Sequence, residues 1–240
     1  MTSVSASVPP AGRPCFDLWD HLQEDPCIGL VELTLDGTVL RHNTTAVRIY
    51  LGRDACGARF GGRSLRELFP AEWVDERLQI LHRVARAGVK RVVRSIWGGY
   101  QLMSRVIPLA DEADGPDRTS RSVGDDAAAG RFLVLVQRVP HLQNDPDPLL
   151  EDDAVLFTQI NELGPLAKLT PRELEVLALI GRGLPTKAIA DELHRAPKTI
   201  ENHRNAIGDK LQCNRRLQLS EMAQRAGLRF TDGRRRNLTR

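Results

Sequence analysis

Residues 169–228 read LTPRELEVLALIGRGLPTKAIADELHRAPKTIENHRNAIGDKLQCNRRLQLSEMAQRAGL, and this stretch decides the fold of the C-terminal part of the chain. Thr170 precedes Pro171, and Glu173 stands three residues after Thr170, which is the pattern of a capping box that starts a helix. Apolar residues then recur at helical spacing as far as Gly181, a residue type that commonly ends helices. Three more helical segments follow, so the sequence predicts a compact four-helix unit.

The third helix of this unit, Pro197 to Leu211, carries polar side chains suited to DNA bases. Ile200, Ile207 and Leu211 fall on one face of it, which leaves the other face for polar residues. A helix in the major groove must hydrogen-bond base edges, as Asn does with adenine, Lys with guanine and Glu with cytosine. The candidate base-reading residues are Lys198, Glu201, Asn202 and Asn205. The candidate phosphate contacts, which position a protein without reading sequence, are Lys187, Thr199, Arg204, Lys210, Arg215 and Arg216.

The helical unit resembles the LuxR-type DNA-binding domain. The positions that carry the resemblance are the run 169–177, Gly183-Leu184, Lys187, Ile189-Ala190, Leu193, Thr199-Ile200, His203, Ile207, Lys210-Leu211, Arg216 and Gly227-Leu228. They cover about a quarter of the chain. The resemblance implies a helix-turn-helix domain that binds double-stranded DNA, usually as a dimer on two half-sites.

Two helix starts depart from the pattern of that family. The second helix has Pro185 where the family commonly has a Ser cap, and Ala188 where it has Glu. The third helix has Ala196 in place of the usual Ser. The loss of a cap costs about 1 kcal/mol, partly offset by Pro in the first helical turn. The sequence therefore predicts weakly capped helices within the same fold.

Two other interpretations of the helical unit remain open. A charged helical face is often only solvated, and His203 suits packing better than base reading. The unit is also compatible with a protein-interaction module that contacts RNA polymerase, as related sigma-factor helices do. A DNA footprint obtained without polymerase separates these interpretations.

The charge distribution favours DNA as the partner. The whole chain has a formal charge of +3, but residues 169–240 carry +7 and residues 1–168 carry −4. A polyanion is attracted by a local basic surplus, and the acidic front part gives no reason to contact DNA.

The front part of the chain predicts a second domain. Asp36-Gly37 between two apolar runs indicates a hairpin over 28–40, and an amphipathic helix spans Ala71–Ala87. Three strands follow, at 90–97, 101–109 and 132–139. With the motifs Gly29-Leu30, Asn43, Gly62-Arg63-Ser64-Leu65 and Leu68-Phe69-Pro70, this order resembles a PAS domain. The resemblance implies a five-stranded antiparallel sheet with helices on one face, and a role as a sensor or dimerisation module.

The fold class predicted from the sequence is therefore two-domain α+β, with an N-terminal PAS-like antiparallel sheet with helices and a C-terminal all-α four-helix LuxR-type helix-turn-helix. The predicted boundaries are 1–25 for a flexible N-terminus and short helix, 26–140 for the PAS-like domain with a flexible loop at 111–130, 141–168 for a connector helix, 169–229 for the DNA-binding domain and 230–240 for a basic tail. The connector helix either packs against its twin in a dimer or covers the front domain. The tail is expected to be disordered.

The PAS resemblance raises the question of a bound cofactor. Some haem-binding PAS domains place their ligand in the region of His82, but a lone helical His is more often a surface or packing residue. Cys56 resembles the reactive Cys of light-sensing flavin domains, yet Ala55 stands where those domains carry Asn. The sequence therefore predicts neither haem nor flavin, and an unidentified small ligand remains open.

Other classes of protein find little support in the sequence. The four cysteines lack metal spacing, and no nucleophile, paired-carboxylate or phosphate-loop arrangement indicates an enzyme. An aspartyl phosphoacceptor site is also missing. No apolar run approaches the roughly 18 residues that span a bilayer, and the polar start 1–13 lacks a signal-peptide core. We expect a cytoplasmic, homodimeric transcription regulator that is not an enzyme.

Overall fold

The computed structural model of the 240-residue chain describes residues 19, 22–52, 60–109, 130–139, 155–213 and 215–238. Several predictions fall outside these residues: most of the N-terminal segment 1–25, the loop at 111–130, the first part of the connector and Cys56. None of the described helices is long and apolar enough to cross a membrane.

The front domain is built on an antiparallel sheet. Its strands are β1 Ile28–Thr34, β2 Val39–His42, β3 Arg91–Trp97, β4 Tyr100–Leu109 and β5 Arg131–Arg138. They lie in the order β2-β1-β5-β4-β3, and neighbouring strands run antiparallel. These are the five antiparallel strands that the PAS resemblance implied, with β1 and β5 as neighbours. The sheet has a sixth strand, Val155–Phe157, which pairs parallel with β3 and makes the sheet mixed.

Asn43 links the hairpin to the first helix, α1 Thr44–Leu51. Its side chain is buried, and Oδ1 accepts hydrogen bonds from the backbone N–H of Ala46 at 2.9 Å and of Leu30 at 2.9 Å. One side chain thus caps α1 and holds it against β1. The helix approaches so closely that a Cβ at Gly29 would lie 2.9 Å from the Cα of Ala46. Glycine is therefore required at that position.

The other helices on this face are α2 Leu65–Leu68 and α3 Ala71–Ala87. The bounds of α3 are those predicted, because Gly88 adopts a left-handed conformation (φ 64°) that ends the helix. Its buried side includes Trp73, Leu81 and Val84, and Ala85 is exposed. The aromatic rings of Tyr50, Phe69, Trp73 and Trp97 meet between helices and sheet at centroid distances of 4.7–5.9 Å.

The C-terminal domain consists of four helices around a buried centre. They are α4 Pro171–Gly181, α5 Thr186–Glu192, α6 Pro197–Leu211 and α7 Arg216–Arg225. Every residue of α4 from Glu173 to Gly181 is buried, because the other three helices and the C-terminal segment pack around it. The predicted two-domain α+β class is confirmed.

The connector helix predicted for 141–168 is wrong over its described part. Residues Val155–Phe157 form a strand, β6, that pairs parallel with β3, and Ile160–Asn161 form a second strand, β7. A 3-10 turn, Gly164–Lys168, then leads into α4. The apolar spacing suits a helix, but β3 would otherwise leave an edge of unpaired N–H and C=O groups, and the connector satisfies them.

The prediction of a disordered tail at 230–240 is also wrong over its described part, residues 230–238. A 3-10 turn spans Phe230–Arg234, and Arg236–Asn237 form a strand, β8, parallel to β7. Leu238 is buried in the core of the front domain. Basic side chains of this segment pair with carboxylates of the protein. Arg236 Nη2, for example, lies 2.8 Å from Glu72 Oε1. This pairing explains the order of a segment whose composition suggests a solvated tail.

The two domains meet at the face of the sheet that the front-domain helices leave open. Arg94 of β3 is 4% exposed, and its guanidinium donates a hydrogen bond to the backbone oxygen of Gly227. It also lies 3.9 Å from Asp232, which is fully buried and pairs with Arg235 at 2.8 Å. Burial, opposed by the attraction of Asp232, lowers the pKa of Arg94 to about 10. The helical domain is thereby held directly against the sheet.

Candidate nucleic-acid interface

The helices α5 and α6 are joined by a tight turn. Leu193 is buried in the turn, and His194 takes a left-handed conformation (φ 50°) that reverses the chain. The N–H of Arg195 donates to the oxygen of Ala190 at 2.9 Å, which closes the end of α5. The chain enters α6 at Pro197, whose fixed φ suits a first helical position. Two short helices with such a turn form a helix-turn-helix.

The helix α6 has one buried face and one polar face. Ile200, Ile207 and Gly208 are buried against the rest of the domain, as the apolar spacing predicted for the two isoleucines. His203 is half-buried between the faces, which suits packing.

All four candidate base-reading residues lie on the accessible part of α6. Asn202 and Asn205 are exposed, and the side chains of Lys198 and Glu201 are 79% and 45% exposed. Lys198 Nζ lies 3.3 Å from Glu201 Oε2, an exposed pair that contributes little to stability and can open at little cost. The structure therefore brings the four side chains together on one accessible helical surface, which we name the reading face.

The candidate phosphate contacts fall into two groups. Lys187 and Arg215 are exposed, and Thr199 and Arg204 are half-buried on α6. Lys210 and Arg216 instead make hydrogen bonds within the domain. A phosphate that bound either of these two side chains would have to share it with the protein.

Arg216 fastens the start of α7 to the segment after α4. Its Nη2 donates to the backbone oxygens of Gly183 and Leu184, each at 2.9 Å. These carbonyls follow a helix end, where backbone oxygens have no intrahelical partner. This role could not be predicted from the sequence, because both carbonyl partners lie more than thirty positions earlier in the chain.

Lys210 fastens the end of α6 to the start of α4. Its Nζ lies 2.8 and 2.7 Å from the two carboxylate oxygens of Glu173, whose side chain is only 7% exposed. Glu173 also completes the predicted capping box, in which it accepts from the N–H of Thr170 at 2.7 Å. Burial raises the pKa of Glu173, but the hydrogen bonds from Lys210 and Thr170 outweigh it, so the pKa lies below its usual value.

Comparison with known proteins identifies this domain. Residues 167–223 match the family described as bacterial regulatory proteins, luxR family. The C-terminal part of this chain is a LuxR-type DNA-binding domain. A stretch of 63 residues is 38% identical to the transcriptional activator protein ExaE of Pseudomonas putida and covers 26% of this chain and 29% of that protein. The transcriptional regulatory protein FixJ of Bradyrhizobium diazoefficiens is 40% identical over 63 residues, which cover 26% of this chain and 31% of FixJ. The match to this chain thus spans about 30% of the length of these relatives, and both relatives are regulators of transcription.

The similarity to solved structures extends over more of the chain, at low sequence identity. The VqmA–ligand–DNA complex of Vibrio cholerae is 17% identical, covers 88% of this chain and 88% of VqmA, and gives a TM-score of 0.43. A domain of an HTR-like protein from Haloarcula marismortui is 21% identical, covers 47% of this chain and 97% of that domain, and gives a TM-score of 0.35.

The LuxR-type domain has the two weak helix starts that its sequence predicts. Pro185 stands at the N-cap of α5 and Ala196 at the N-cap of α6, and neither supplies a side-chain hydrogen bond. Ala196 has the extended backbone of an N-cap (φ −69°, ψ 143°) without the oxygen that would use it. The helix that carries the reading face therefore begins without a side-chain cap.

His82 lies on the surface of the front domain and not in its interior. His82 is exposed on α3, outside the small cavity that the core contains. It is therefore placed as a surface residue, in line with the more ordinary of its two sequence interpretations.

Proposed function

We propose that this protein is a sequence-specific DNA-binding regulator of transcription that acts as a homodimer in the cytoplasm, with its DNA binding modulated by the PAS-like domain. The observation that carries the proposal is the reading face. Four side chains able to hydrogen-bond base edges stand together on the accessible side of a helix whose other side is fixed in the core.

The polar residues divide into two roles under this proposal. Lys198, Glu201, Asn202 and Asn205 read bases, because they lie on the reading face. Lys187, Thr199, Arg204 and Arg215 contact phosphates, because they flank that face. Lys210 and Arg216 already make hydrogen bonds within the domain. Each contacts a phosphate either in addition to those bonds or in place of them. Base contacts supply specificity, and phosphate contacts supply most of the affinity and its dependence on salt.

A dimer follows from the small size of one reading helix. A single α6 spans 15 residues and contacts few base pairs, whereas two copies bind two half-sites about one helical turn of DNA apart. The spacing of the half-sites then depends on how each LuxR-type domain is held in its own chain.

Modulation by the PAS-like domain is supported by the way the two domains are joined. β6 extends the front sheet, β8 returns from the C-terminal domain to pair with β7, and Arg94 binds the backbone of Gly227. A change in the front domain would therefore reposition α6 rather than be absorbed by a flexible linker.

The test is selection of bound duplexes from a randomised DNA library by the full chain, at near-physiological salt and without RNA polymerase. We expect enrichment of an inverted repeat with two half-sites, and a footprint over both. Binding that falls with salt but enriches no sequence would contradict the proposal. A double variant, Asn202→Ala with Asn205→Ala, is the control, because both residues are exposed and their truncation leaves the fold intact. If polymerase is needed for any footprint, the protein-interaction alternative gains support.

A further inference from the structure

The core of the front domain contains a cavity of about 60 Å³ between the sheet and the helices α1 to α3. Most of its wall is apolar, and Phe60, Phe69 and Trp73 contribute rings. This volume counts only the positions open to the centre of a water molecule, and one water needs about 10–15 Å³ of it. The cavity therefore has room for roughly five waters, which occupy on the order of 150 Å³ in liquid water. That is the size of a ligand of about six non-hydrogen atoms.

Polar groups line this cavity at the side chains of Arg77, Tyr50 and Ser104. The side chain of Arg77 is only 15% exposed, and its guanidinium carbon lies 4.6 Å from the ring centroid of Trp73. Burial lowers the pKa of Arg77, and the nearby Glu76 and Tyr50 raise it. Arginine stays protonated at neutral pH even so, which leaves a cation beside an apolar cavity. A cation with two hydroxyls beside it is suited to a carboxylate.

The carboxylate of Glu76 connects this cation to the connector. Arg77 Nη1 donates to Glu76 Oε2 at 3.0 Å. The same oxygen accepts from the backbone N–H of Ile160 at 3.3 Å, and Oε1 accepts from the N–H of Gln159. Ile160 begins β7, which pairs with β8 and leads within three residues to the turn before α4. One side chain therefore lies between the cavity wall and the segment that carries the LuxR-type domain.

We propose that the cavity binds a short-chain carboxylate of about six non-hydrogen atoms, with its carboxylate on Arg77, and that Glu76 relays its binding to the connector. The ligand and Glu76 share the guanidinium, so occupancy weakens the bond between Arg77 and Glu76. The hydrogen bonds that Glu76 accepts from the N–H groups of Gln159 and Ile160 then change, and β7 shifts against β8. The ligand half of this inference stands alone, and the relay half rests on the proposed function.

Binding is tested by titration calorimetry on the full chain with butyrate and isobutyrate, each of which has six non-hydrogen atoms. Butyramide has nearly the same shape without the charge. We expect the carboxylates to bind at least tenfold more tightly than the amide. Arg77→Gln should lose at least tenfold in carboxylate affinity, and Arg77→Lys, which keeps the charge, should lose less. Equal affinity for butyrate and butyramide, or no binding of either carboxylate, would overturn the ligand class.

The relay is tested by the affinity of the full chain for its selected DNA site, measured by fluorescence anisotropy with and without the carboxylate. We expect the carboxylate to change the affinity of the unaltered protein at least fivefold, a typical strength of coupling between sites. Glu76→Gln should bind the carboxylate at least as tightly as the unaltered protein, because its neutral side chain competes less for the guanidinium of Arg77, and it should abolish the effect on DNA. Glu76→Asp, which keeps the charge, should retain part of it.

The possible failures can be told apart. An unaltered response in Glu76→Gln, or no response in the unaltered protein, would overturn the relay. If the ligand-free protein binds no specific DNA, the proposed function fails, while the calorimetry still decides the ligand.

Discussion

At the level of single residues, Asn202 is the sharpest test of the reading face. It is exposed, and an Asn in the major groove pairs two-fold with adenine. Asn202→Ala should cost about 1–3 kcal/mol of binding free energy at the preferred site and relax the preference at one base position. Competition binding against all single-base variants of the selected site measures this. Gln218→Ala removes a similar amide from the exposed part of α7 and should change neither affinity nor preference. Uniform weakening across all sequences by Asn202→Ala would instead make Asn202 a phosphate contact.

Lys210 differs from Asn202 because it contacts a carboxylate of its own domain. Lys210→Ala leaves the buried Glu173 without its cation, and we expect the free energy of unfolding to fall by about 1–2 kcal/mol, a value kept low because Lys210 is about one-third exposed. The pKa of Glu173 is lowered in the folded protein. The contribution of the pair is therefore present above pH 4.5, the ordinary pKa of a Glu, and is lost as pH falls through the lower folded pKa.

Urea unfolding at pH 7 and in steps below pH 4.5 measures this difference. In a Glu173→Gln background, the pH dependence attributable to the pair should vanish. If Lys210→Ala leaves stability unchanged but lowers the salt slope of DNA binding by about one unit, Lys210 acts on phosphate and not on Glu173.

At the level of elements, the start of α6 can be improved. Ala196 is exposed and already has the backbone of an N-cap, so Ala196→Ser supplies an oxygen for an N–H of the first turn without a change of conformation. The free energy of unfolding should rise by about 1 kcal/mol. Ala206→Ser, inside the same helix, is the matched control and should lower stability by up to roughly 0.5 kcal/mol because Ser is the weaker helix former. Changes of the same sign in both variants would show that the missing cap is not the cause.

Local signals explain which elements could be predicted from the sequence. The ends of α3 and the start of α4 are set by residues beside them, Gly88 and the Thr170–Glu173 capping box, and both were predicted. The connector was not, because its spacing of Val155, Leu156 and Ile160 carries no information about the edge of β3, over sixty residues earlier. The reading face was predicted because it depends on the period of a single helix. The bonds of Lys210 and Arg216 were missed because their partners lie in other elements.

At the scale of the whole molecule, the contact between the two domains contains more cationic side chains than anionic ones. The guanidinium carbons of Arg94, Arg229 and Arg235 lie 5.7, 4.4 and 5.7 Å from the ring centroid of Phe157. Asp232 is the carboxylate paired with two of them, Arg94 and Arg235, among the described residues. Such an arrangement depends on a single negative charge, since three cations in one place repel one another.

Asp232→Asn tests that dependence with an isosteric change. The amide oxygen can still accept from the N–H of Arg229, as Asp232 Oδ2 does at 2.7 Å. The amide nitrogen replaces the oxygen that pairs with Arg235, so the negative charge and that one acceptor are removed together. We expect the free energy of unfolding to fall by about 3 kcal/mol, because Arg94 stays buried without its counter-ion. Hydrogen exchange should accelerate first in residues 228–238, which join the LuxR-type domain to the front sheet. Glu221→Gln, an exposed carboxylate on α7, is the control and should change stability by less than about 0.5 kcal/mol. If exchange in 228–238 is unchanged while α4 loosens, the charge supports the helical core and not the junction between the domains, and the route from the front domain to α6 must lie through β6 and β7 alone.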